Sequence, residues 1–462
     1  MAGIGFELRK AFKEKSLFSL VHVYGYSALL SAGPWVISII AILIVGLIEI
    51  IHFQSDGGHV VRFQIIVTYA FAFAATLITS GVLQLPFTRY IADLIYAKRE
   101  SEVLGTYFGS LFIVLGIGLP LFSAITYYLL PDTLMINQIL ITSIFLVLSS
   151  IWLSNTLVSS LKYYKEIIWG YLISYITIIT GAYFFGNSLT SLLVVFFFGN
   201  SVLLLFMMTL IIKHYKPKQF LYFHFFNKQR FYFSLGFAGL FYNLGTWIDK
   251  FIFWYHPLTG EAIIGRIHAS IVYDIPVFLA YLSIVPGMAI FFFRLEADFA
   301  EKYDLFYSNV REGGTLEVIE QYRYEMAEVL RDSIRELLIF QAILDIILFL
   351  FAPRLFSLLH IPQLYLGLFY ILTVGAMLQL GFMSVLAIFY YLDRRKKAMW
   401  LSLFFFITNG LFTWYSIQLG PSMYGYGYTL SLLLSFSLSL ILLQKTMESL
   451  DYETYMHYSI SS

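Results

Sequence analysis

The chain has 462 residues, of which 59% are hydrophobic and only 12% are charged. Soluble proteins carry about 25% charged residues, so the composition excludes an ordinary water-soluble fold and indicates a polytopic membrane protein. The formal net charge is +1 and there is no cysteine, which excludes disulfide and thiolate chemistry. We expect no metal site, no cofactor and no nucleic-acid partner.

The amino-terminal segment 1–19 mixes apolar and charged residues, and its apolar positions recur at helical spacing. This pattern predicts a short amphipathic helix at the cytoplasmic surface of the membrane, with an unstructured tail as the alternative. No cleavable signal peptide is visible, so we expect the first apolar span to act as an uncleaved anchor.

Twelve mostly apolar stretches follow, each about as long as the 20 residues that a helix needs to cross a bilayer of roughly 30 Å. Such continuous runs predict helices rather than the alternating strands of a membrane barrel. The predicted spans are about 20–51, 62–88, 104–130, 137–161, 167–186, 191–212, 233–256, 264–293, 335–352, 363–392, 398–420 and 425–445.

Basic residues lie almost entirely on one side of the zigzag that these spans define. Of the 29 Lys and Arg residues, the only ones that do not lie in the segments of that side are Arg62, Lys250, Arg266 and Arg354. Cytoplasmic loops carry the excess of Lys and Arg in multi-pass proteins. The asymmetry therefore supports the count of twelve and predicts a cytoplasmic (inner) membrane protein with both termini in the cytoplasm.

Six spans, a basic linker and six further spans are the layout of two-lobed transporters. We therefore predict an all-α membrane protein with two six-helix lobes around a central cavity. The predicted parts are an N-lobe at 20–212, a cytoplasmic linker at 213–232, a C-lobe at 233–446 and a cytoplasmic tail at 447–462.

The longest inward segment, 294–334, is charged and contains Gly313-Gly314. Apolar residues recur at helical spacing beyond that break, which predicts two cytoplasmic helices joined by a Gly-Gly turn. The apolar stripe has to pack against a partner protein, the transporter itself or the lipid surface, and a solvated connector is the other alternative. The candidate docking residues are Ile319, Tyr322 and Met326.

Ionisable residues at membrane depth are costly and are therefore functional candidates. Asp249 and Lys250 lie in the seventh span, roughly 9 Å from its outer end, and Asp274 is predicted roughly 12 Å inside the eighth. Lys250 and Asp274 are placed to meet, whereas Asp249 points about 100° away and needs another partner. A structural ion pair and a charged lining of a substrate pathway are both consistent with this pattern.

The seventh span also carries Asn243 and Trp247, which share one helical face with Lys250 at i, i+4 and i+7. An amide, an indole and an ammonium in one stripe suit sugar hydroxyls and the apolar faces of pyranose rings, although Trp247 also fits plain packing. Further candidate pathway residues are Tyr242, Gln84, Asn155 and Asp345. The amides are more often helix–helix hydrogen bonds, and Asp345 requires either a proton or a partner on another helix.

The sequence has no GxxxxGK[ST] loop, no HExxH motif and no long external loop with paired acids. We therefore expect a transporter rather than an enzyme that acts on lipid-linked sugars.

Several stretches together resemble one family. They are MAGIGFELRKAF at the start, YGYSALLSAGPWVIS at Tyr24–Ser38, FTRYIADLIYAKR at Phe87–Arg99, YNLGTWIDKFIFW at Tyr242–Trp254 and YDIPVFLAYLSIVPGMAIFFFRLEADF at Tyr273–Phe299. The chain is similar in these segments to PelG proteins, within the multidrug/oligosaccharidyl-lipid/polysaccharide flippase superfamily.

The resemblance implies a flippase-like fold and export of Pel exopolysaccharide, a biofilm matrix polymer rich in N-acetylgalactosamine. It also implies assembly with a cytoplasmic glycosyltransferase (the synthase) and with small membrane proteins, one of them a cyclic-di-GMP receptor. The rival function is an ion-coupled antiporter of small molecules or drugs, driven through Asp249, Asp274 or Asp345.

Overall fold

The computed structural model describes residues 33–34, 36–48, 51, 58–161, 163–216, 219–227, 232–452 and 454. Nearly all of this part of the chain is helical, and nine of its helices are long and apolar enough to cross a membrane. The chain is therefore a multi-pass membrane protein. The count of twelve spans stays a prediction, since the amino-terminal segment 1–19 and most of the first span lie outside the described residues.

By internal contact the chain divides into two compact units, whose described residues lie within 34–271 and, together with residue 33, within 272–454. The first unit contains α1 (Val36–Ile48), α2 (Gly58–Ala70), a π-helix (Phe71–Gln84), α3 (Leu85–Tyr96), α4 (Val103–Leu129), α5 (Met135–Ser160), α6 (Tyr164–Phe185), α7 (Leu189–His214), α8 (Phe233–Tyr255), β1 (Glu261–Ile264) and β2 (Ile267–Ala269).

The second unit contains α9 (Ile271–Ser283), α10 (Val285–Phe293), a second π-helix (Arg294–Phe299), α11 (Ala300–Glu312), α12 (Leu316–Leu358), α13 (Leu366–Tyr391), α14 (Arg395–Gln418) and α15 (Tyr426–Glu448). A 43-residue helix such as α12 is about 65 Å long, twice the thickness of the hydrocarbon core. One half of α12 therefore extends beyond the membrane.

The predicted eighth span begins too early. Residues 261–269 form a short antiparallel hairpin, with Glu261 opposite Ala269 and with Gly265 at a φ of +56° in the turn. Glycine adopts this left-handed conformation without the strain that a Cβ would introduce. The helix consequently starts at Ile271, and Asp274 lies in its first turn rather than deep inside it.

The first unit continues past the predicted 213–232 linker and includes α8. Helix α8 packs along the first π-helix, and the two backbones approach very closely where they cross. A Cβ built on Gly239 would lie 2.3 Å from the carbonyl oxygen of Gly81. This contact requires glycine at position 239 and places α8 in the first unit. The equal division into two six-helix lobes stays a prediction.

Small and hydroxylated residues join the other helices. In the first unit, Ser174 donates a hydrogen bond to the carbonyl of Gly199 at 2.8 Å, which ties α6 to α7. In the second unit, Thr429 donates to the carbonyl of Ile371 at 2.8 Å, which ties α15 to α13. Close backbone approach at small residues is the usual way in which membrane helices associate.

Helices α11 and α12 form a helical hairpin around Gly313-Gly314, as the sequence predicts. Gly313 has a φ of +76°, and the Gly314 N–H closes α11 by donating to Asn309 at 2.8 Å. The second arm is not a separate helix, because it continues without a break into the apolar half of α12.

Ion pairs join the two arms of this helical hairpin and hold it to the rest of the second unit. Lys302 on α11 pairs with Glu325 on α12 at 2.7 Å, and Arg323 pairs with Asp451 at 2.6 Å. Arg294 pairs with both Asp298 and Glu336. Partial burial would lower the pKa of Arg294, but the hydrogen bonds and negative charges of its two partners raise it above the ordinary value.

The apolar stripe of α12 packs within the chain. Ile319 is 1% exposed and Met326 is 0% exposed, whereas Tyr322 is half-buried. This burial favours the internal-packing alternative that the sequence left open, because buried side chains offer no surface to a partner.

Replacement of the buried Met326 by Ser is expected to lower the free energy of unfolding by about 2–5 kcal/mol, since it leaves a cavity and a buried hydroxyl. The matched control is Tyr324→Ser. Tyr324 is 65% exposed, and the guanidinium of Arg323 lies 4.7 Å from the centre of its ring. This substitution should cost no more than about 1 kcal/mol. Thermal melting of the purified protein compares the two, and equal melting temperatures would contradict the packing.

Candidate functional site

Three polar side chains of α8 donate hydrogen bonds to carbonyls of their own helix. Asn243 donates to the carbonyl of Gly239 at 2.9 Å, Thr246 donates to that of Tyr242 at 3.0 Å, and Lys250 donates to that of Thr246 at 2.9 Å. Each bond spans one turn and satisfies a polar group at membrane depth without a second helix. Asn243, Thr246 and Lys250 are spaced three and four positions apart in the sequence, so they lie along one side of the helix.

Asp249 and Lys250 form an ion pair in the protein interior. The Lys250 Nζ lies 3.2 Å from Asp249 Oδ2 and 3.4 Å from Oδ1. Lys250 is 5% exposed and Asp249 is 0% exposed. Adjacent positions on α8 thus pair with each other, and the expectation of another partner for Asp249 stays a prediction. The flexible four-carbon stem of Lys250 carries its ammonium group back across the 100° between adjacent helical positions. The predicted interaction of Lys250 with Asp274 stays a prediction.

The Lys250 ammonium also lies 5.9 Å from the centre of the Trp247 ring, within the range of a cation–π interaction. Trp247 is half-buried and packs on Phe251 with ring centres 6.2 Å apart. Phe251 in turn contacts Phe73 of the π-helix, 5.7 Å away. The predicted stripe of amide, indole and ammonium is thus continued by an aromatic row that sequence reasoning missed.

The carboxyl-terminal end of α8 is held by a second cluster that the sequence pattern did not predict. Tyr69 stacks on Trp254 with ring centres 4.7 Å apart, and its hydroxyl donates to the carbonyl of His268 at 2.9 Å. The guanidinium of Arg266 lies 4.5 Å from the ring centre of Tyr128. The only available signal is the density of aromatic residues, which is also high in interfacial belts.

Two further candidates of the first unit, Gln84 and Asn155, lie in apolar helices. Gln84 is half-buried at the end of the π-helix. Asn155 on α5 is also half-buried, and its Oδ1 has no hydrogen-bond partner. Helix α5 packs against the π-helix, so the same helix neighbours both Asn155 and α8. An unpaired amide oxygen can accept a hydrogen bond from a hydroxyl group.

The remaining candidates lie in the second unit. Asp274, in the first turn of α9, is half-buried, and a carboxylate at this place is stabilised by the helix dipole. Asp345 on α12 is 3% exposed and accepts a hydrogen bond from Gln341 at 2.8 Å. The sequence indicated Asp345 but not its pairing with Gln341.

This geometry supplies hydrogen-bond groups, one buried cation and flat aromatic surfaces. Among the described residues, no group of three or more His, Cys, Asp and Glu side chains is placed to hold a metal ion. Asn243, Trp247 and Lys250 form one row on α8, called the α8 row below. Its groups have the chemistry to bind and orient a polar, ring-shaped substrate.

The fold matches that of transporters of the MOP superfamily. A MOP superfamily transporter from Pyrococcus furiosus is similar with a TM-score of 0.63 and 12% identity, over 94% of this chain and 96% of the other. An outward-facing multidrug resistance MATE transporter gives 0.63 and 13%, over 92% and 96%. The inward-facing form gives 0.56 and 13%, over 93% and 95%. At this identity the similarity shows the fold alone.

No individual curated protein matches the sequence. A family model does: that of the PelG exopolysaccharide exporters (EPS-E) matches residues 1–455, nearly the whole chain. The membrane-spanning helices and the MOP fold agree with that match. The chain therefore belongs to the PelG family and is a membrane transporter for exopolysaccharide export.

Proposed function

We propose that this chain passes an exopolysaccharide rich in N-acetylgalactosamine outward across the cytoplasmic membrane, as a component of a Pel-type biofilm matrix system. The observation that carries the proposal is the row of Asn243, Trp247 and Lys250 on α8, within a chain of an exporter family. This row combines the three group types that a neutral, ring-shaped sugar requires.

In this proposal each group has a separate task. The Trp247 ring offers a flat apolar surface to one face of a pyranose ring. The Asn243 amide and the Lys250 ammonium act on hydroxyl and acetamido oxygens, as hydrogen-bond donors held in one orientation by their own helix. Asp249 holds the ammonium in place and balances its charge where solvent is absent. Gln84, Asn155 and Tyr242 add hydrogen-bond groups along the same pathway.

A complementation experiment tests this proposal. In a Pel-producing strain that lacks its own exporter, expression of this chain should restore secreted polymer, and the variant Trp247→Ala should restore less than Trp247→Phe. Normal membrane levels of an inactive wild-type chain would contradict the proposal.

We further propose that the partners are the cytoplasmic glycosyltransferase and the small membrane components of the same system, one of them a cyclic-di-GMP receptor. The helical hairpin of α11 and α12 extends beyond the apolar half of α12. This extension supports a transfer of polymer there from the glycosyltransferase to the exporter. Ile319 and Met326 are buried, so a docking contact has to use the outward face of this hairpin, which includes Tyr324. Loss of the glycosyltransferase from a copurified complex on Tyr324→Ser, with full membrane levels of the exporter, would support this site.

The helical hairpin should lie on the cytoplasmic side and Asp132 on the outside. The absence of cysteine permits a direct test with single replacements at two exposed positions, Glu312→Cys and Asp132→Cys. An impermeant thiol reagent applied to intact cells should label position 132 and not 312, and both should react after the membrane is opened. The reverse pattern would overturn the proposed orientation.

The fold shared with MATE transporters makes the drug antiporter the second candidate. It predicts that expression raises drug tolerance in cells that make no polymer. Export of polymer without such tolerance supports the first proposal. We also propose that transport involves no chemical change of the substrate, which unchanged glycosidic linkages before and after passage would support.

A further inference from the structure

Two side chains one turn apart on α12 each leave one buried oxygen without a hydrogen-bond partner. Gln341 is 0% exposed and Asp345 is 3% exposed. The Gln341 amide nitrogen uses both of its protons, one to the carbonyl of Ser283 at 3.1 Å and one to Asp345 Oδ1 at 2.8 Å. The unpaired atoms are Gln341 Oε1 and Asp345 Oδ2.

Both unpaired atoms are acceptors, so a single donor placed between the two side chains is what they lack. A buried polar atom without a partner costs about 1–3 kcal/mol, and a carboxylate at membrane depth costs a few kcal/mol more. We propose that Asp345 is a proton-binding site of the transporter: one proton on Oδ2 is shared with Gln341 Oε1. The neutral acid and the amide then form a pair with two parallel hydrogen bonds.

Among the described residues of α9, α10, α12 and α13, no Lys or Arg side chain lies close to Asp345 along its helix. Within α12 the nearest charged residues are Glu336 and Arg354, each nine residues away, or about 13 Å along the helix. The facing segment 275–293 of α9 and α10 holds only Tyr281 as a titratable group, and α13 holds only Tyr370, Tyr390 and Tyr391.

The neighbouring charged groups lie at the two ends of this segment. At one end, Asp274 lies in the first turn of α9, nine residues before Ser283. At the other end, Arg294 forms ion pairs with Asp298 and Glu336. Lys302 on α11 is held by Glu325 beyond that end. In this proposal a proton, rather than a cation among these described side chains, neutralises Asp345.

The backbone opposite these residues is shaped to receive them. The α9–α10 helix breaks at Ile284, beside Pro286, which has no N–H to donate, and the carbonyl of Ser283 accepts the Gln341 amide there. A Cβ on the adjacent Gly287 would lie 2.6 Å from Gln341 Oε1. Glycine at position 287 thus leaves room for the amide in this orientation.

A small cavity lies one turn further towards the helical hairpin. It has a volume of about 10 Å³, enough for one water molecule, and Ser333, Leu337, Gly381 and Ser384 are among its lining residues. Leu337 is one turn before Gln341 on the same face of α12.

Infrared difference spectroscopy of the purified protein in lipid nanodiscs tests the site without any transport assay. We expect a carbonyl band of a protonated carboxylic acid near neutral pH that is absent in Asp345→Asn and retained in the surface control Asp132→Asn. The Gln341→Leu variant should shift that band, because the acid loses its hydrogen-bond acceptor. The Asn variant mimics the neutral acid, so its melting temperature should stay close to that of the wild type.

Absence of any acid band that depends on Asp345 would overturn the proposal. Loss of the band on addition of sodium, at constant pH and not with potassium, would also overturn it and assign the site to a metal cation. These readouts do not depend on the substrate, so the inference fails or stands separately from the proposed function.

Discussion

Replacement of Lys250 by Ala is expected to lower the free energy of unfolding by roughly 3–5 kcal/mol and to abolish export. The substitution removes the ammonium 3.2 Å from Asp249, which stays fully buried as a carboxylate next to an apolar residue. It also removes the cation beside Trp247 from the α8 row. Thermal melting measures the first effect, and secreted polymer normalised to exporter level measures the second.

A double substitution separates stability from transport. In Asp249→Asn combined with Lys250→Met both charges are removed, so the free energy of unfolding should recover towards the wild-type value. Export should stay low, because the α8 row still lacks the ammonium group of Lys250. Wild-type export by Lys250→Ala would show that this pair is structural and that the substrate pathway lies elsewhere.

Gly239→Ala is expected to destabilise the first unit strongly. The new Cβ would lie 2.3 Å from the carbonyl oxygen of Gly81, and a backbone atom cannot move aside as a side-chain end can. Helix α8 would have to separate from the π-helix, at a cost of about 1–3 kcal/mol or more. The melting temperature should fall, and export should fall with it because the α8 row is displaced.

The matched control is Gly116→Ala in the middle of α4. A Cβ at Gly116 meets no atom within 4 Å, so the change should leave stability unchanged or raise it slightly through the better helix propensity of alanine. If Gly239→Ala melts at the same temperature as this control, the close crossing of α8 and the π-helix is wrong.

The membrane class and most of the helices follow from the sequence because apolar length decides them. Spans such as 137–161 and 363–392 end within a few residues of α5 and α13. The helical hairpin was predictable from Gly313-Gly314 for the same local reason. The hairpin of β1 and β2 was not, because its apolar residues Ile264, Ile267 and Ala269 run directly into the apolar residues of α9.

The candidate site was predictable by residue but not by contact. Polar residues in an apolar span stand out, so Asp249, Lys250 and Asp345 were found at once. Their partners were not, since helical geometry places adjacent residues 100° apart and does not show that a long lysine stem folds back. The Gly81–Gly239 crossing and the π-helix depend on tertiary packing, for which one sequence carries no periodic signal.

The central claim, that this chain moves polysaccharide across a membrane, is tested most directly by translocation into vesicles. Proteoliposomes that contain the chain and the glycosyltransferase would receive labelled nucleotide-sugar on the outer, synthase-facing side, and labelled polymer protected from an added glycosidase would be measured. We predict protected polymer that requires the chain and is strongly reduced by Lys250→Ala. Polymer of normal length that stays fully accessible to the glycosidase would contradict the claim.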